Sequence, residues 1–378
     1  MEVIALLLGL LLLALVFWDL FETIVVPRPS PGWFRLGRYV VRGLWRLVRF
    51  AGRRPGRETR DTLLGLFAPA ATLVLLVTWL ATLVVAYGLV LFALKDQLRP
   101  EPSDLGTAIY YAATSILTLG SGEIVAVGPV ARVVVVVAAA SGLGVVALVV
   151  TFLFSLYGSY QRREVQVVSL QAAAGAPPSA VQLLETYGRL DLRGRLPGLF
   201  IEWERWAAEV LDTHVAYPLL GFFRSSHDNL SWISALGTVL DAASLVLTTT
   251  RDVPRGEAEL FRRVGSHLVE DITNLGFQSN VTARLGAGNG AGPVEDGVDR
   301  AAFEEAWVHL REAGYEMTPV EDAWQAFAAA RTEYSGRLEA MARYWATPTN
   351  SWLDSAADLR SPAHRVDTGA DRDNGPHV

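Results

Sequence analysis

The chain has 378 residues, of which 51% are hydrophobic and 19% charged, and its formal net charge is -6. Apolar residues are concentrated in about the first 160 positions, whereas the rest resembles an ordinary amphipathic soluble sequence. Because there are no cysteines, disulfides, thiolate zinc sites and cysteine nucleophiles are excluded, and the acidic balance argues against a nucleic-acid partner.

Three apolar runs are long enough to cross a bilayer, which takes about 20 residues. They are Val3–Val26, Leu63–Leu94 and Val130–Tyr160. The first run lacks the basic start and the small-residue cleavage site of a signal peptide. We therefore expect a retained N-terminal transmembrane helix over residues 1–27.

Arginines recur every three or four residues between the first two runs, so that on a helix they share one face. This stripe consists of Arg35, Arg38, Arg42, Arg46, Arg49 and Arg53. We favour an amphipathic helix over residues 28–61 that lies in the membrane interface, with the Arg35–Arg53 face on anionic lipid head groups. A voltage sensor is disfavoured because only one span precedes the stripe, and a cytoplasmic helix packed on soluble partners is the third interpretation.

The arginines also predict the orientation of the chain. By the positive-inside rule, the stripe is cytoplasmic, the N-terminus is outside, and everything after Gln161 is in the cytoplasm. Asp19 and Glu22 then lie near the cytoplasmic end of the first span, where we expect them to pair with Arg28 or with the stripe.

A shorter apolar segment separates the second and third runs. Leu105–Leu117 makes about three helical turns after Ser103 or Asp104 as N-cap, which is too short to span a bilayer. The segment is predicted to be a re-entrant helix, whose C-terminal dipole favours a cation near the membrane centre. It is followed by Thr-Leu-Gly-Ser-Gly-Glu over residues 118–123.

Placed between two spans, this hexapeptide resembles the selectivity filter of the two-transmembrane potassium channel family, in which the backbone carbonyls of Thr-Val-Gly-Tyr-Gly line the pore. The implied filter residues are Thr118, Leu119, Gly120, Ser121 and Gly122, with Glu123 at the outer mouth. The resemblance covers roughly residues 62–161 and implies a homotetramer, since one pore loop cannot close a filter. Ser121 replaces the aromatic residue that braces the family's filter, so the choice between potassium and sodium stays open unless Tyr110 or Tyr111 braces it instead.

The third run contains candidates for gating. Gly142 and Gly144 have the position of a hinge in potassium-channel-like inner helices, although small residues also serve close helix packing. Phe152 and Phe154, near Thr151 and Ser155 at the inner end, are candidates for a ring that closes the pore by dewetting.

The second half is predicted to be an α-helical cytoplasmic domain over residues 162–346, followed by a disordered tail over 347–378. Amphipathic helices are expected at Ser179–Arg189, Gly198–Val215, Asn229–Thr248, Gly256–Gly276, Asp299–Ala313 and Pro319–Trp345. Val165–Leu170 is either a short strand or a continuation of the inner helix. The glycines of Gly286–Gly297 indicate a poorly ordered insert rather than a nucleotide site, because no βαβ pattern surrounds them.

Polar and aromatic residues cluster between Glu202 and Asn229. They include His214, His227 and Asp228, and are interpreted as caps, surface charges and core tryptophans in preference to a metal or ligand site. No Gly-x-Ser-x-Gly, His-Glu-x-x-His or Walker pattern is present, so an enzyme is not expected.

Taken together, these patterns predict an all-α membrane protein with a pore-loop cation channel fold: outer helix, re-entrant pore helix, filter and inner helix. The expected function is passive, potassium-preferring conduction of monovalent cations by a homotetramer in the cell membrane, without a cofactor beyond the transported ion. The alternatives are a weakly selective cation channel on the same scaffold, or a non-conducting membrane scaffold or receptor with a degenerate pore loop. The sequence does not determine the gating stimulus.

Overall fold

The computed structural model describes residues 2–26, 36–52, 57–225, 230–277 and 300–347. Within these ranges, the only paired strands with more than one residue are two short ones, and helices dominate. Contacts divide the chain into two compact units, residues 1–159 and residues 160–378. The all-helical character expected from the sequence is confirmed.

The first unit contains four helices and the beginning of a fifth. They are α1 Glu2–Leu20, which continues as a π-helical turn over Phe21–Val25, α2 Leu36–Ala51, α3 Arg57–Ala93, α4 Leu105–Ile116 and α5 Pro129–Ala174. The strands β1 Leu98–Arg99 and β2 Val125–Ala126 pair antiparallel, with Leu98 opposite Ala126.

Helices α1 and α3 run antiparallel. Lys95, just beyond the end of α3, forms an ion pair with Glu2 at 3.4 Å, while Asp19 near the other end of α1 contacts Trp79 of α3. Helix α4 packs on α3 at Gly88, where a Cβ atom would lie only 2.8 Å from the Cα of Ile109. Glycine at this position therefore permits the pore helix to approach the outer helix closely.

The second unit contains the remainder of α5 and the following helices. They are α6 Ala180–Arg189, α7 Leu196–Ala216, α8 Trp232–Thr249, α9 Gly256–Phe277, α10 Arg300–Glu312, α11 Val320–Thr332 and α12 Ser335–Trp345. Short 3₁₀ turns over Arg193–Arg195 and Pro218–Phe222 flank α7. Its core is formed by large apolar side chains such as Phe200, Trp203, Trp232 and Phe261.

Among the described residues, four helices are long and apolar enough to cross a membrane, but their burial separates them into two kinds. In the most apolar 18-residue stretch of each helix, the share of buried residues is 28% in α1, 44% in α3 and 22% in α5. In α8 it is 89%. A helix that is apolar all round is stable either in lipid or in a protein core. The first three therefore offer surface to lipid or to other chains, whereas α8 is the central core helix of the second unit.

A buried polar network confirms the interior character of α8. The Asp241 carboxylate in the middle of α8 is fully buried and accepts from the Arg331 Nε–H at 3.1 Å and from the Tyr334 hydroxyl at 2.5 Å. The Arg331 charge and the Tyr334 hydrogen bond compensate the cost of burying a carboxylate. An uncompensated charge at this depth would otherwise be strongly destabilising.

This network also explains a difference from the sequence-based prediction. The single helix expected over Pro319–Trp345 is divided into α11 and α12 by a turn at Glu333 and Tyr334. Tyr334 leaves helical geometry, with φ -127°, and its hydroxyl reaches Asp241. Val165–Leu170, in contrast, is helical as part of α5, while the glycine-rich insert and the tail beyond Thr347 lie outside the described residues.

Candidate functional site

The pore helix α4 begins at a capped N-terminus. Asp104 has extended backbone geometry, and its Oδ1 accepts from the Thr107 amide at 2.9 Å, while the Ser103 hydroxyl donates to its Oδ2 at 3.1 Å. Of the two expected N-caps, Asp104 is therefore the one that caps the helix. With 12 residues, α4 is about 18 Å long, well short of the ~30 Å hydrocarbon thickness.

The chain leaves α4 through a tight turn. The amide of Leu117 donates to the Ala113 carbonyl at 2.9 Å, that of Thr118 to Ser115 at 3.1 Å and that of Leu119 to Thr114 at 2.8 Å. These bonds use the last carbonyls of the helix, which have no partner inside the helix itself. They hold residue 118 at the C-terminal end of the helix dipole, where a cation is stabilised.

Beyond this turn, positive φ angles occur at every second residue. They are +54° at Thr118, +58° at Gly120 and +73° at Gly122, whereas Leu119 and Ser121 between them have none. Such alternation lets successive peptide groups turn the same way, with amides on one side and carbonyls on the other. Glycine adopts a positive φ without strain, but for the β-branched Thr118 it costs on the order of 1–3 kcal/mol.

A groove of about 600 Å³ lies against this segment. It is lined by residues of α4, of the 118–122 segment and of α5, among them Tyr111, Thr114, Ser121 and Arg132. Ser121 has no hydrogen-bond partner among the residues that the structure describes, and Tyr110 is 47% exposed. Tyr111, which is 8% exposed, is the aromatic side chain of α4 that lines the groove together with Ser121.

Residues 118–122 are named the filter segment after the role predicted for them, and Gln97 fixes the return from this segment to α5. Its carbonyl accepts from the Val127 amide at 2.9 Å, and its side-chain Oε1 accepts from the Ala131 amide at 3.1 Å in the first turn of α5. Together with the β1–β2 pair, these bonds connect the end of α3 to the start of α5. Glu123 lies between the filter segment and this pair, with its side chain exposed.

The two hinge candidates have different surroundings. A Cβ atom at Gly142 would overlap the carbonyl oxygen of Ile116, at the end of α4, whereas one at Gly144 would meet nothing within 4 Å. Next to Gly142, the Ser141 hydroxyl forms a 2.8 Å hydrogen bond with the Tyr87 hydroxyl of α3. Gly142 is thus a close-packing position, and Gly144 is free of such contacts within the chain.

The gate candidates differ in the same way. Phe152 is 6% exposed, whereas Phe154 is 78% exposed. Phe154 belongs to an exposed stripe of α5 whose members recur every three or four residues. This stripe comprises Val133, Val137, Ala140, Gly144, Ala147, Thr151 and Phe154. Phe154 and Gly144 therefore share one open face of the helix, while Phe152 is buried.

The polar and aromatic cluster of the second unit is largely a core feature. Trp203 is fully buried, and the Trp206 indole N–H donates to the Arg163 carbonyl at 3.1 Å. His214 is buried beside the Arg163 guanidinium, at 3.2 Å between its Nε2 and Nη1. Among the described residues, no group of His, Asp and Glu is arranged to hold a metal ion, and residues 226–229 lie outside them.

The two partners of the Asp19 carboxylate, Gly37 and Trp79, were not predicted from the sequence. Among the described residues, the Asp19 carboxylate accepts hydrogen bonds from the Gly37 amide and the Trp79 indole, while its pairing with Arg28 or with the arginine stripe stays a prediction. The signal available in the sequence was an acidic residue within an apolar run, which identifies Asp19 but not its partners. Arg28 and Arg35 lie outside the described residues.

Comparison with known proteins gives one positive result. Residues 74–158 match the family model described as "Ion channel", a range that begins inside α3, includes α4 and the filter segment, and ends inside α5. Searches of curated proteins and of solved structures gave no match.

Proposed function

We propose that the protein is a passive, potassium-preferring channel for monovalent cations, because residues 74–158 match the ion channel family model. Four copies would surround one pore, each contributing the carbonyls of Thr118–Gly122. The observation that carries the proposal is the alternation of positive φ at Thr118, Gly120 and Gly122, directly after the C-terminal end of α4. Carbonyls on one side of such a segment can replace an ion's hydration shell.

The groups around this segment favour a cation over an anion. The negative end of the α4 dipole points to residue 118, and the exposed Glu123 carboxylate follows the filter segment. Repeated around a fourfold axis, Glu123 would form a ring that concentrates cations at the outer mouth. Gly144 would act as the hinge and Phe154 as the gate, since both lie on the open face of α5.

A second candidate is a weakly selective cation channel on the same scaffold. It is favoured by the groove of about 600 Å³ against the filter segment, because the small Ser121 side chain lines this groove where the filter of the family has an aromatic residue. A filter without rigid support distinguishes less well between ions of different size. Reversal potentials in mixed potassium and sodium separate the two candidates, since a strong preference for potassium supports the first.

Helix α2 is proposed to lie in the membrane interface on anionic lipid. Its outer face exposes Tyr39, Leu47 and Phe50 at 58%, 62% and 65%, and Arg46 and Arg49 lie beside them. Apolar side chains on this face fit among acyl chains, and the guanidinium groups fit among head-group phosphates. In this arrangement, the protein is a multi-pass cell-membrane protein whose second unit is cytoplasmic.

The proposal is tested by ion flux into liposomes containing the purified protein. Gly120→Ala is expected to bring potassium flux close to background, because a left-handed conformation costs a residue with a Cβ about 1–2 kcal/mol and displaces the filter carbonyls. Gly65→Ala is the matched control, since Gly65 has an ordinary φ and open space around it in α3. Flux that persists in Gly120→Ala, or that never appears in the unmodified protein, would contradict conduction through this segment.

A further inference from the structure

Asp19 is a carboxylate in a membrane-spanning helix that the proposed pore does not use. It is 1% exposed, and it lies at the end of α1, outside the ion channel domain. Ionisable groups at this depth are costly and are found where a partner compensates them. The partners of Asp19 therefore indicate what the residue does.

The carboxylate holds the N-terminus of α2. The Gly37 amide donates to Oδ1 at 3.3 Å and to Oδ2 at 3.2 Å. Gly37 is the second residue of α2, so its N–H has no acceptor within the helix. A negative charge at this end is also favoured by the helix dipole. Asp19 thus acts as an N-cap supplied by another helix.

The same carboxylate is fixed to the outer helix of the pore. The Trp79 indole N–H of α3 donates to Oδ2 at 2.7 Å, the shortest hydrogen bond of the three. Gly37 also lies directly on α3, where an added Cβ would be 3.4 Å from the Leu75 Cδ1 atom. One side chain therefore joins α1, α2 and α3.

Helix α2 has a second contact with α3 at Trp45 and Phe67, whose ring centroids are 4.7 Å apart. The opposite face of α2 is the one that exposes Leu47 and Phe50. The helix is thus attached to the first unit along one side and at its N-terminus, while the other side is available to lipid.

We propose that Asp19 is a latch that fastens the N-terminal end of α2 to the outer helix, so that anionic lipid bound on α2 acts on the pore through this carboxylate. The attachment stands on the contacts of Asp19, whereas its effect on conduction rests on the proposed function. Asp19 is a positioning residue and touches no ion. Its removal is expected to leave the pore assembled but to release the start of α2.

The attachment is measured with a single spin label on α2. The chain contains no cysteine, so Gly43→Cys provides a unique labelling site, and Gly43 is exposed with no atom near its Cβ position. The labelled protein is placed in phosphatidylcholine nanodiscs with and without phosphatidylglycerol. Asp19→Asn and Trp79→Phe each change one partner of the hydrogen bond between the Trp79 indole and the Asp19 carboxylate, with little change in side-chain shape.

Both variants are expected to raise the mobility of the spin label. The equilibrium between α2 attached at its N-terminus and α2 detached there should shift by roughly tenfold or more, as for loss of a hydrogen bond to a charged group. Trp18→Phe is the matched control, because Trp18 is adjacent to Asp19 but 58% exposed. Unchanged mobility in both variants, or an equal change in the control, overturns the latch.

Flux into liposomes of the same two lipid compositions gives the second measurement. In the unmodified protein, we expect phosphatidylglycerol to change the flux, and in Asp19→Asn and Trp79→Phe we expect this dependence to be lost. If the label on α2 becomes more mobile but the flux still depends on phosphatidylglycerol, the proposed coupling between α2 and the pore is wrong. Absence of flux in every variant, with mobility changed as expected, contradicts the proposed function and supports the attachment alone.

Discussion

At the scale of single residues, two glycines two positions apart in α5 are not equivalent. Gly142 lies against the carbonyl of Ile116 at the base of the filter segment, whereas Gly144 lies in open space. Sequence spacing cannot separate them, because both occur in the same run of small residues. The tertiary contact assigns close packing to Gly142 and leaves Gly144 as the position free to act as a hinge.

Substitution by alanine should distinguish the two glycines. Gly142→Ala forces its methyl group into the Ile116 carbonyl, and we expect a loss of about 1–3 kcal/mol from overpacking, seen as a lower thermal midpoint of the purified protein. Gly144→Ala should leave the midpoint unchanged within error. Equal midpoints for both variants would show that Gly142 does not support the contact between α4 and α5.

A second residue-scale feature is the buried histidine of α7. His214 Nδ1 lies 2.8 Å from the Val210 carbonyl and its Nε2 lies 3.2 Å from Arg163 Nη1. Burial and then the Arg163 charge lower the pKa of His214 from 6.5 to about 3. The ring is therefore neutral in the folded protein, donating from Nδ1 and accepting at Nε2.

This shift makes stability depend on pH with a definite sign. Between pH 6.5 and about 3, the unfolded chain binds a proton at His214 that the folded chain does not, so stability falls as the pH falls through this window. The slope is at most about 1.4 kcal/mol per pH unit. Thermal midpoints at pH 7 and pH 5 should differ less in His214→Gln than in the unmodified protein.

The control for this prediction is another histidine. His267→Gln removes a histidine that is 61% exposed, and it serves as the matched variant. A slope that is unchanged in His214→Gln would mean that protonation of other groups dominates acid destabilisation.

At the scale of the element, α5 presents two faces with different roles. Phe152 is buried, whereas Phe154 lies on the exposed stripe with Gly144 and Thr151. The sequence places both phenylalanines near the inner end of the helix without assigning a face to either. In a helix, a difference of two residues rotates a side chain by about 200°.

The two phenylalanines should therefore respond differently to truncation. Phe154→Ala is expected to raise the open probability in single-channel recordings with little loss of stability, because a dewetting ring loses its apolar side chains. Phe152→Ala is expected to cost about 3–5 kcal/mol by leaving a cavity. An open probability that changes only in Phe152→Ala would reverse the assignment of the gate.

At the scale of the whole molecule, the proposed pore requires more than one chain. The exposed stripe of α5 and the groove beside the filter segment are both surfaces of the first unit that the described residues leave uncovered. Contiguous apolar surface of this kind marks contact with lipid or with other protein chains. In the proposed tetramer, both surfaces would face neighbouring copies or the pore.

Native mass spectrometry of the detergent-solubilised protein tests this assembly. We expect the mass of four chains, because four pore loops are needed to close a ring of carbonyls. A monomer or dimer as the largest species, in a preparation that conducts ions, would contradict the fourfold pore.

The sequence by itself determined the three apolar helices of the first unit, the short helix between the last two and the glycine pattern that follows it. These features are local, because they depend on run length, capping residues and residue types that tolerate a positive φ. The same local rules also predicted most helices of the second unit. They do not report which side chains meet across the fold.

Only the tertiary structure decided the rest. In the folded chain, Asp19 accepts hydrogen bonds from Gly37 and Trp79, and α8 is buried with the Asp241 carboxylate at its middle. The last predicted helix is interrupted at Tyr334. Each outcome depends on a buried polar group finding a partner at least 18 positions away in the chain. Such partners come close only when the helices pack. The periodicity and the helix propensity of the sequence therefore do not predict them.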